Sequence, residues 1–261
     1  MTTALITGAS SGIGKEFAQQ LAAKKNNLIL VARSQDKLTA IASELQQQHL
    51  IDVEVIALDL TVPAAGKTVF DLVEQKGLAV DLLINNAGFG DYGLFSDRDL
   101  SKQLAMIQLN LMVLTELTGL FLPLMKSRGY GGIINLSSIA GFQPLPYMSV
   151  YGATKAFVLS FTEALWAENK DSGVSILALC PGPTESQFFE RADFPDSVTE
   201  SQSASAALTS TKEVVAEALK ALAKGHSNRV TGNIANRFIA NIPRFMPREL
   251  LVTAVEKQFK P

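Results

Sequence analysis

The chain has 261 residues and a mass of 28.0 kDa, a length that α/β folds reach as one unit. Hydrophobic residues make up 47% and charged residues 18%, which supplies a large core and excludes a disordered chain. The net charge of −2 excludes a surface built mainly to grip polyanions, so no nucleic-acid partner is expected; one cysteine, Cys180, and two distant histidines, His49 and His226, exclude a disulfide scaffold and a Cys/His zinc site.

In chain order, Thr2–Thr7 reads as a short apolar strand and Gly12–Lys24 as a helix. The early Gly8 interrupts the apolar run Ala4-Leu5-Ile6, so no secretory leader is expected. Asn27–Ala32 is a continuous apolar strand, and Ser34–Gln48 a helix with a polar face. Val53–Leu58 is a third strand, followed by a helix over Pro63–Lys76 with Pro63 in its first turn. Asp81–Asn85 is a fourth strand, and Ser101–Met125 one long helix. That helix has a membrane-like composition, but Glu116 would cost about 2.5 kcal/mol or more at a bilayer centre, so burial inside the protein is expected. Gly132–Ser137, Val174–Cys180 and Arg229–Thr231 are further strands, with helices over Ser149–Lys170 and Thr211–Lys224.

Continuous apolar strands are buried on both faces, and the repeated strand–helix spacing predicts a single-domain, doubly wound Rossmann-type α/β fold with about seven mostly parallel strands over residues 1–261. Residues 185–210, rich in Ser, Ala, Thr and Glu, are expected to form a substrate lid, and residues 233–261 a C-terminal helical tail.

The first strand runs into Gly8-Ala9-Ser10-Ser11-Gly12-Ile13-Gly14 and then a helix. Glycines there let a pyrophosphate approach the amides at the positive helix end. The spacing G-x3-G-x-G departs from the usual dinucleotide fingerprint, so its place between strand and helix carries the assignment. At the end of the second strand an acidic residue would bind a ribose 2′-hydroxyl and an arginine a 2′-phosphate. Ala32-Arg33-Ser34 stands there, which favours NADP(H) through Arg33 with Ser34 beside it. Asp59-Leu60, Asn86-Ala87-Gly88, Ser138 and Pro181-Gly182-Pro183-Thr184 follow the third to sixth strands. Each could be plain turn chemistry. Together they ring the crevice at the carboxyl edge of the sheet, where open α/β folds bind ligands. Tyr151 and Lys155 share one helix face, and Asn110 interrupts an apolar helix, where a buried amide needs polar partners.

As a set, TGASSGIG at 7–14, Asp59-Leu60, NNAG at 85–88, Asn110, Ser138, YGATK at 151–155 and PGPT at 181–184 resemble the compact, non-extended branch of the short-chain dehydrogenase/reductases, covering about residues 2–184. The resemblance implies a nicotinamide-dependent oxidoreductase that interconverts a carbonyl and an alcohol. It implies Tyr151 as general acid/base, Ser138 on the substrate oxygen, Lys155 on the nicotinamide ribose and Asn110 anchoring a water that links Lys155 to solvent. The Lys155 ammonium is expected to lower the tyrosine pKa. Gly8, Ser10, Ser11, Gly12, Ile13, Gly14, Arg33, Ser34, Asp59, Leu60, Asn86, Ala87, Gly88, Tyr151, Lys155, Pro181, Gly182 and Thr184 would hold the cofactor.

A catalytically silent NADP(H)-binding sensor is the alternative; such a chain is expected to have lost one of Asn110, Ser138, Tyr151 or Lys155, and all four are present. The substrate is expected to be bulky, uncharged and apolar, against Phe142, Tyr147 and Phe188 with Ser138, while Phe89, Tyr92, Leu145, Met148 and Phe189 complete an aromatic-rich wall. Arg191 is the nearest candidate for holding an anionic substrate. No metal is expected. The chain is expected in the cytoplasm as a homodimer or homotetramer, paired through Leu111, Leu114, Leu117, Phe121, Phe157, Phe161 and Trp166. The tail carries six Lys/Arg and two Glu from residue 226 onward, which leaves a peripheral membrane contact open.

Overall fold

A computed structural model describes residues 2–186, 188–195 and 208–260. The elements are β1 (Thr3–Thr7), α1 (Gly12–Ala23), β2 (Asn27–Ala32), α2 (Gln35–His49), β3 (Val53–Ala57), α3 (Ala65–Gln75), β4 (Leu82–Asn85), α4 (Leu100–Ile107), α5 (Leu114–Arg128), β5 (Gly131–Leu136), α6 (Ser149–Glu168), β6 (Val174–Cys180), α7 (Phe188–Arg191), α8 (Thr211–Ala223), β7 (Asn228–Val230), α9 (Ile234–Asn241) and α10 (Arg248–Phe259).

The seven strands pair in parallel in the order β3-β2-β1-β4-β5-β6-β7. Successive strand side chains point to opposite faces, so each strand feeds two cores. Ile6, Leu30, Ile84, Ile134 and Leu177 meet Phe17 and Leu21 of α1, Leu38 of α2 and Val214 of α8. Leu5, Ile29, Leu83, Ile133 and Ile176 meet Val69 of α3 and Leu117 and Phe121 of α5. The strand order reverses between β1 and β4, and all carboxyl ends share one edge; the crevice of an open sheet lies at such a switch point.

Two expected elements differ. Pro63 does not open a helix: α3 begins at Ala65, after Ala64 takes a left-handed φ of 59°. The expected single helix over Ser101–Met125 is divided by a π-helical turn at Gln108–Val113 between α4 and α5. Asn110 lies inside that turn, buried, with its side chain bonded outside the helix. Such π-turns mark places where a helix is re-aimed for function. The stretch Leu100–Arg128 is the one helix, among the described residues, long and apolar enough to cross a membrane by length and composition. Its inner face packs on the sheet through Leu117, Phe121 and Met125, and Glu116 Oε2 accepts the Gly66 amide at 3.0 Å.

Candidate active site

Glycine geometry shapes the β1–α1 loop. Gly8 and Gly12 adopt φ values of 68° and 54°, and a side chain on Gly14 would collide with the Gly8 carbonyl oxygen. Thr7 and Asn86 lock this loop to the end of β4. Thr7 Oγ1 accepts the amides of Asn86 and Ala87, each at 3.0 Å, and Asn86 Nδ2 donates to Thr7 O at 2.8 Å. The neighbouring Asn85 turns into the core, donating to Asn135 Oδ1 at 2.9 Å and Thr118 Oγ1 at 3.1 Å. Ser10, Ser11, Gly12, Lys15 and Lys37 line an open groove of about 610 Å³ along α1 and α2. Ile13 packs partly buried on the α1 core face.

Exposed Arg33 and Ser34 follow β2. Asp59 Oδ1 accepts Thr61 N at 2.9 Å and Thr61 Oγ1 at 2.8 Å. That amide bond, the hydroxyl and the nearby Arg33 charge hold the Asp59 carboxyl below the usual range, against a smaller effect of burial. Leu60 beside it is buried in the core. The Pro181–Thr184 turn is held by Thr184 Oγ1 on Gly182 O at 2.8 Å and by the pairing of Thr184 with Thr209.

Ser138, Tyr151 and Lys155 converge at the ends of β5 and α6. Ser138 Oγ accepts the Ala140 amide at 3.1 Å, donates to Pro181 O at 3.5 Å and lies close enough to the Tyr151 hydroxyl to favour its ionised form. Lys155 Nζ donates to Leu136 O at 2.8 Å and lies 5.7 Å from the Tyr151 ring centroid. Both side chains are buried. Burial pushes the Tyr151 hydroxyl up to about 12, against the Ser138 hydrogen bond, and pulls the Lys155 amine down to about 8. The expected lowering of the tyrosine by Lys155 is absent here. Desolvation dominates at Tyr151, and the Lys155 amine, itself disfavoured as an ammonium by burial, is turned to the Leu136 carbonyl.

Asn110 sits one layer below. A side chain on Gly88 would lie 2.9 Å from Asn110 Oδ1 and 3.6 Å from Lys155 Nζ, so glycine brings the three together. The Asn110 amide is bonded to Phe89 N at 3.2 Å, Phe89 O at 3.1 Å and Thr154 Oγ1 at 3.1 Å. Its side chain therefore positions the end of β4 against α6.

Aromatic rings roof the site. Phe188 lies 5.2 Å from the Tyr151 ring, Phe194 lies 4.8 Å from Tyr92, and Tyr92 stacks on Tyr147 at 5.8 Å. Tyr147 and Phe188 thus join the Tyr151 cluster, with Leu145, Met148 and Phe89. Phe142 does not. It packs with Leu159, Cys180 and Val230, because the short helical turn Ile139–Phe142 carries it to the outer side of α6. Arg191 also departs from its expected role: its Nη1 donates to Ser11 Oγ at 3.4 Å, over the glycine loop. Of the 185–210 stretch, residues 187 and 196–207 lie outside the described residues.

An ionic cluster that the sequence did not announce anchors this roof. The fully buried Asp91 carboxylate accepts Arg98 Nε at 2.7 Å, Gln103 Nε2 at 2.5 Å and Lys102 Nζ at 2.6 Å. Burial opposes its ionisation, and the Arg98 and Lys102 hydrogen bonds override that and hold its carboxyl below the usual range. The same cations reach Asp193, at 2.7 and 2.9 Å. Asp91, Arg98, Lys102 and Gln103 lie within 12 positions of one another, and the fold brings the distant Asp193 to them. Asp91→Ala leaves two cations beside an apolar hole and is expected to cost about 3 kcal/mol in denaturant unfolding, the low end for a broken buried pair because Arg98 and Lys102 keep some solvent contact.

A family model described as short chain dehydrogenase matches residues 2–195. The very-long-chain 3-oxoacyl-CoA reductase of Bos taurus is 35% identical over 185 residues, 68% of this chain and 58% of that protein. The chain thus spans under two thirds of the length of that relative. A short-chain dehydrogenase from Sphingobium yanoikuyae, solved in complex with NADPH, is 33% identical with a TM-score of 0.82, covering 94% of this chain and 93% of its own. A bulky-bulky ketone specific alcohol dehydrogenase from Comamonas testosteroni is 30% identical with a TM-score of 0.77, covering 91% and 89%. With the matched model spanning most of the fold and the Ser138–Tyr151–Lys155 grouping in place, the chain belongs to the short-chain dehydrogenase family.

Proposed function

We propose that the chain is an NADP(H)-dependent oxidoreductase that interconverts a bulky, apolar ketone or aldehyde and its alcohol, with Tyr151 as general acid/base. One observation carries this reading: Ser138, Tyr151 and Lys155 are grouped under an aromatic roof at the sheet edge that also bears the glycine loop. The cradle suits a dinucleotide, because Gly8 and Gly14 pack against Asn86 and fix the loop, while Gly12 at the start of α1 faces the open groove with Ser10 and Ser11. Gly8, Ser10, Ser11, Gly12, Ile13 and Gly14 would face its phosphates, Asn86, Ala87, Gly88, Pro181, Gly182 and Thr184 its middle, and Lys155 its nicotinamide ribose. Asp59 and Leu60 would face the adenine end. Arg191, already over Ser11, would face cofactor phosphate and not a substrate carboxylate. Bound NADP(H) would supply or accept the hydride.

The chain's own residues handle the oxygen. Ser138 hydrogen-bonds the carbonyl oxygen as charge develops there, and Tyr151 delivers the proton. With its hydroxyl pushed up by burial, Tyr151 is protonated throughout the neutral range, which suits reduction. The apolar wall of Tyr92, Tyr147, Phe188 and Phe194 supports an uncharged substrate. The names of the Bos taurus and Comamonas testosteroni proteins, an oxoacyl thioester reductase and a bulky ketone enzyme, point the same way. The test compares kcat/KM across bulky ketones, an oxoacyl thioester and small keto acids. Preference for keto acids overturns the reading.

Arg33 is expected to select NADPH. Losing a charge-assisted phosphate contact costs about 1.5–3 kcal/mol, so Arg33→Ala should lower the NADPH:NADH ratio of kcat/KM by roughly 10–100-fold. Equal use of both cofactors by the wild type contradicts it.

The protein is also proposed to pair with a second copy through α4, the π-turn and α6. Leu114, Leu117 and Phe121 are excluded from that contact, since they are buried in the core, and Trp166 donates to Gly225 O of its own chain at 2.8 Å. Leu104, Met112 and Phe157 are exposed and fit the role. Light scattering at micromolar concentration should give at least a dimer mass for the wild type and a lower mass for Phe157→Arg. A monomeric wild type refutes it.

A further inference from the structure

The C-terminal segment is built with its apolar side outward. In α9 the inner face carries Asn236 and Ala240, both buried, with Asn236 Nδ2 donating to Thr231 O at 3.0 Å and its amide capped by Asn233 Oδ1 at 2.9 Å. Two positions away, on the opposite face of the helix, Ile234 is 82% exposed and Phe238 70% exposed. A helix that serves only its own core shows the reverse arrangement, polar out and apolar in. The short helical turn Ile242–Arg244 and the start of α10 continue the surface: Phe245 is 87% exposed, Leu250 63%, and Met246 is also exposed. α10 itself is anchored, since Leu251 and Val255 pack into the Tyr151 cluster and Tyr92 Oη donates to Phe259 O.

Three arginines interleave with these side chains: Arg237, Arg244 and Arg248, all exposed. Arg244 and Arg248 have no carboxylate partner among the described residues, and Arg237 reaches Glu217 only at 3.8 Å, an acid already bonded by Arg229 at 2.5 Å. Exposed aromatic and aliphatic side chains ringed by exposed arginines are the composition that seats a helix at a lipid–water interface. We propose that α9, the turn after it and the start of α10 form a docking surface for an anionic lipid bilayer, with Ile234, Phe238, Phe245 and Leu250 entering the headgroup boundary and Arg237, Arg244 and Arg248 pairing with lipid phosphates.

Charge decides the occupant. A two-fold contact between copies would set this face against itself, bringing the three arginines toward their own counterparts with only Glu249 and Glu256 in the segment to offset them. A bilayer bearing phosphates has the complementary sign. The surface adjoins an apolar groove of about 780 Å³ where Arg244 and Arg248 meet Phe142, Leu145 and Leu159.

The test floats purified full-length protein with vesicles of phosphatidylcholine alone and with one quarter phosphatidylglycerol. Flotation is expected only with the anionic vesicles and is expected to fall several-fold between low and high salt. The double variant Phe238→Ser/Phe245→Ser, and separately Arg244→Glu/Arg248→Glu, should each reduce the floated fraction at least tenfold. Both should keep the wild-type melting temperature, since all four side chains are exposed. Light scattering without lipid separates the other occupant. A loss of oligomer mass in the Phe238→Ser/Phe245→Ser variant, with no flotation of the wild type, assigns the surface to a second copy and overturns the proposal. Equal flotation of wild type and both variants overturns it as well.

Discussion

Tyr151→Phe is expected to lower kcat by about 10²–10⁴-fold while leaving the affinity for NADPH within a few-fold of wild type. The substitution removes one oxygen and keeps the ring that packs 5.2 Å from Phe188, so the roof and the cluster of Leu145, Met148 and Tyr147 stay filled. What is lost is the proton at the substrate oxygen. The pH dependence has a definite sign. Burial pushes the tyrosine up to about 12, so the acid form that reduction needs is present across the neutral range and the reductive rate should be flat there. The oxidative direction needs the phenolate, so its rate should rise as pH increases. Full stopped-flow turnover by Tyr151→Phe on an accepted substrate would show that another group moves the proton.

Lys155→Met is expected to remove most activity and at the same time to stabilise the fold at neutral pH by about 1–3 kcal/mol, seen as a higher melting temperature. Burial pulls the Lys155 amine down to about 8 from its ordinary 10.5. Between those values the folded chain binds fewer protons than the unfolded chain, so this residue's contribution to stability is unfavourable below about pH 8 and recovers as pH rises toward 10.5. Burial raises Cys180 and Tyr151 to about 12, and these act with the opposite sign. Each contributes stability that is present below its unfolded pKa and is lost as pH rises through the folded one. Methionine has the length to fill the site without a charge, although Leu136 O then loses its donor at 2.8 Å, which trims the gain. A melting temperature that falls in Lys155→Met, measured between pH 6 and 10, would mean that the lysine is held by partners that outweigh its burial.

The central strands were legible because they are largely apolar runs bounded by turn residues; β2 and β6 have the bounds read from the sequence. The glycine loop was legible from its place between strand and helix, whereas Ser138, Tyr151 and Lys155 were legible chiefly through the set of motifs that resembles the short-chain dehydrogenase/reductases. Tertiary geometry hid the rest. Asn110 announced a buried polar contact, but nothing local showed that its helix would open into a π-turn. Leu114, Leu117 and Phe121 read equally well as interface or core, and the side of the helix that meets β5 and α3 decides the matter. Phe142 depended on the path of a four-residue turn. The Asp91, Arg98, Lys102 and Asp193 cluster joins residues up to 102 positions apart, and no pattern in a single chain reports such a grouping. In the tail, composition showed the mixture of arginines and aromatics, whereas the outward turn of Phe238 and Phe245 needed the fold.

The central claim is that Tyr151, set beside Ser138 and Lys155 under an aromatic roof, protonates an apolar carbonyl with NADPH as the reductant. The most direct measurement follows nicotinamide absorbance on a bulky, uncharged ketone with wild type and Tyr151→Phe side by side. The account requires NADPH consumption matched by alcohol formation in the wild type and a loss of at least a hundredfold in the variant. Equal rates in the two proteins, or no turnover of any ketone or aldehyde by a wild type that binds NADPH, would contradict it.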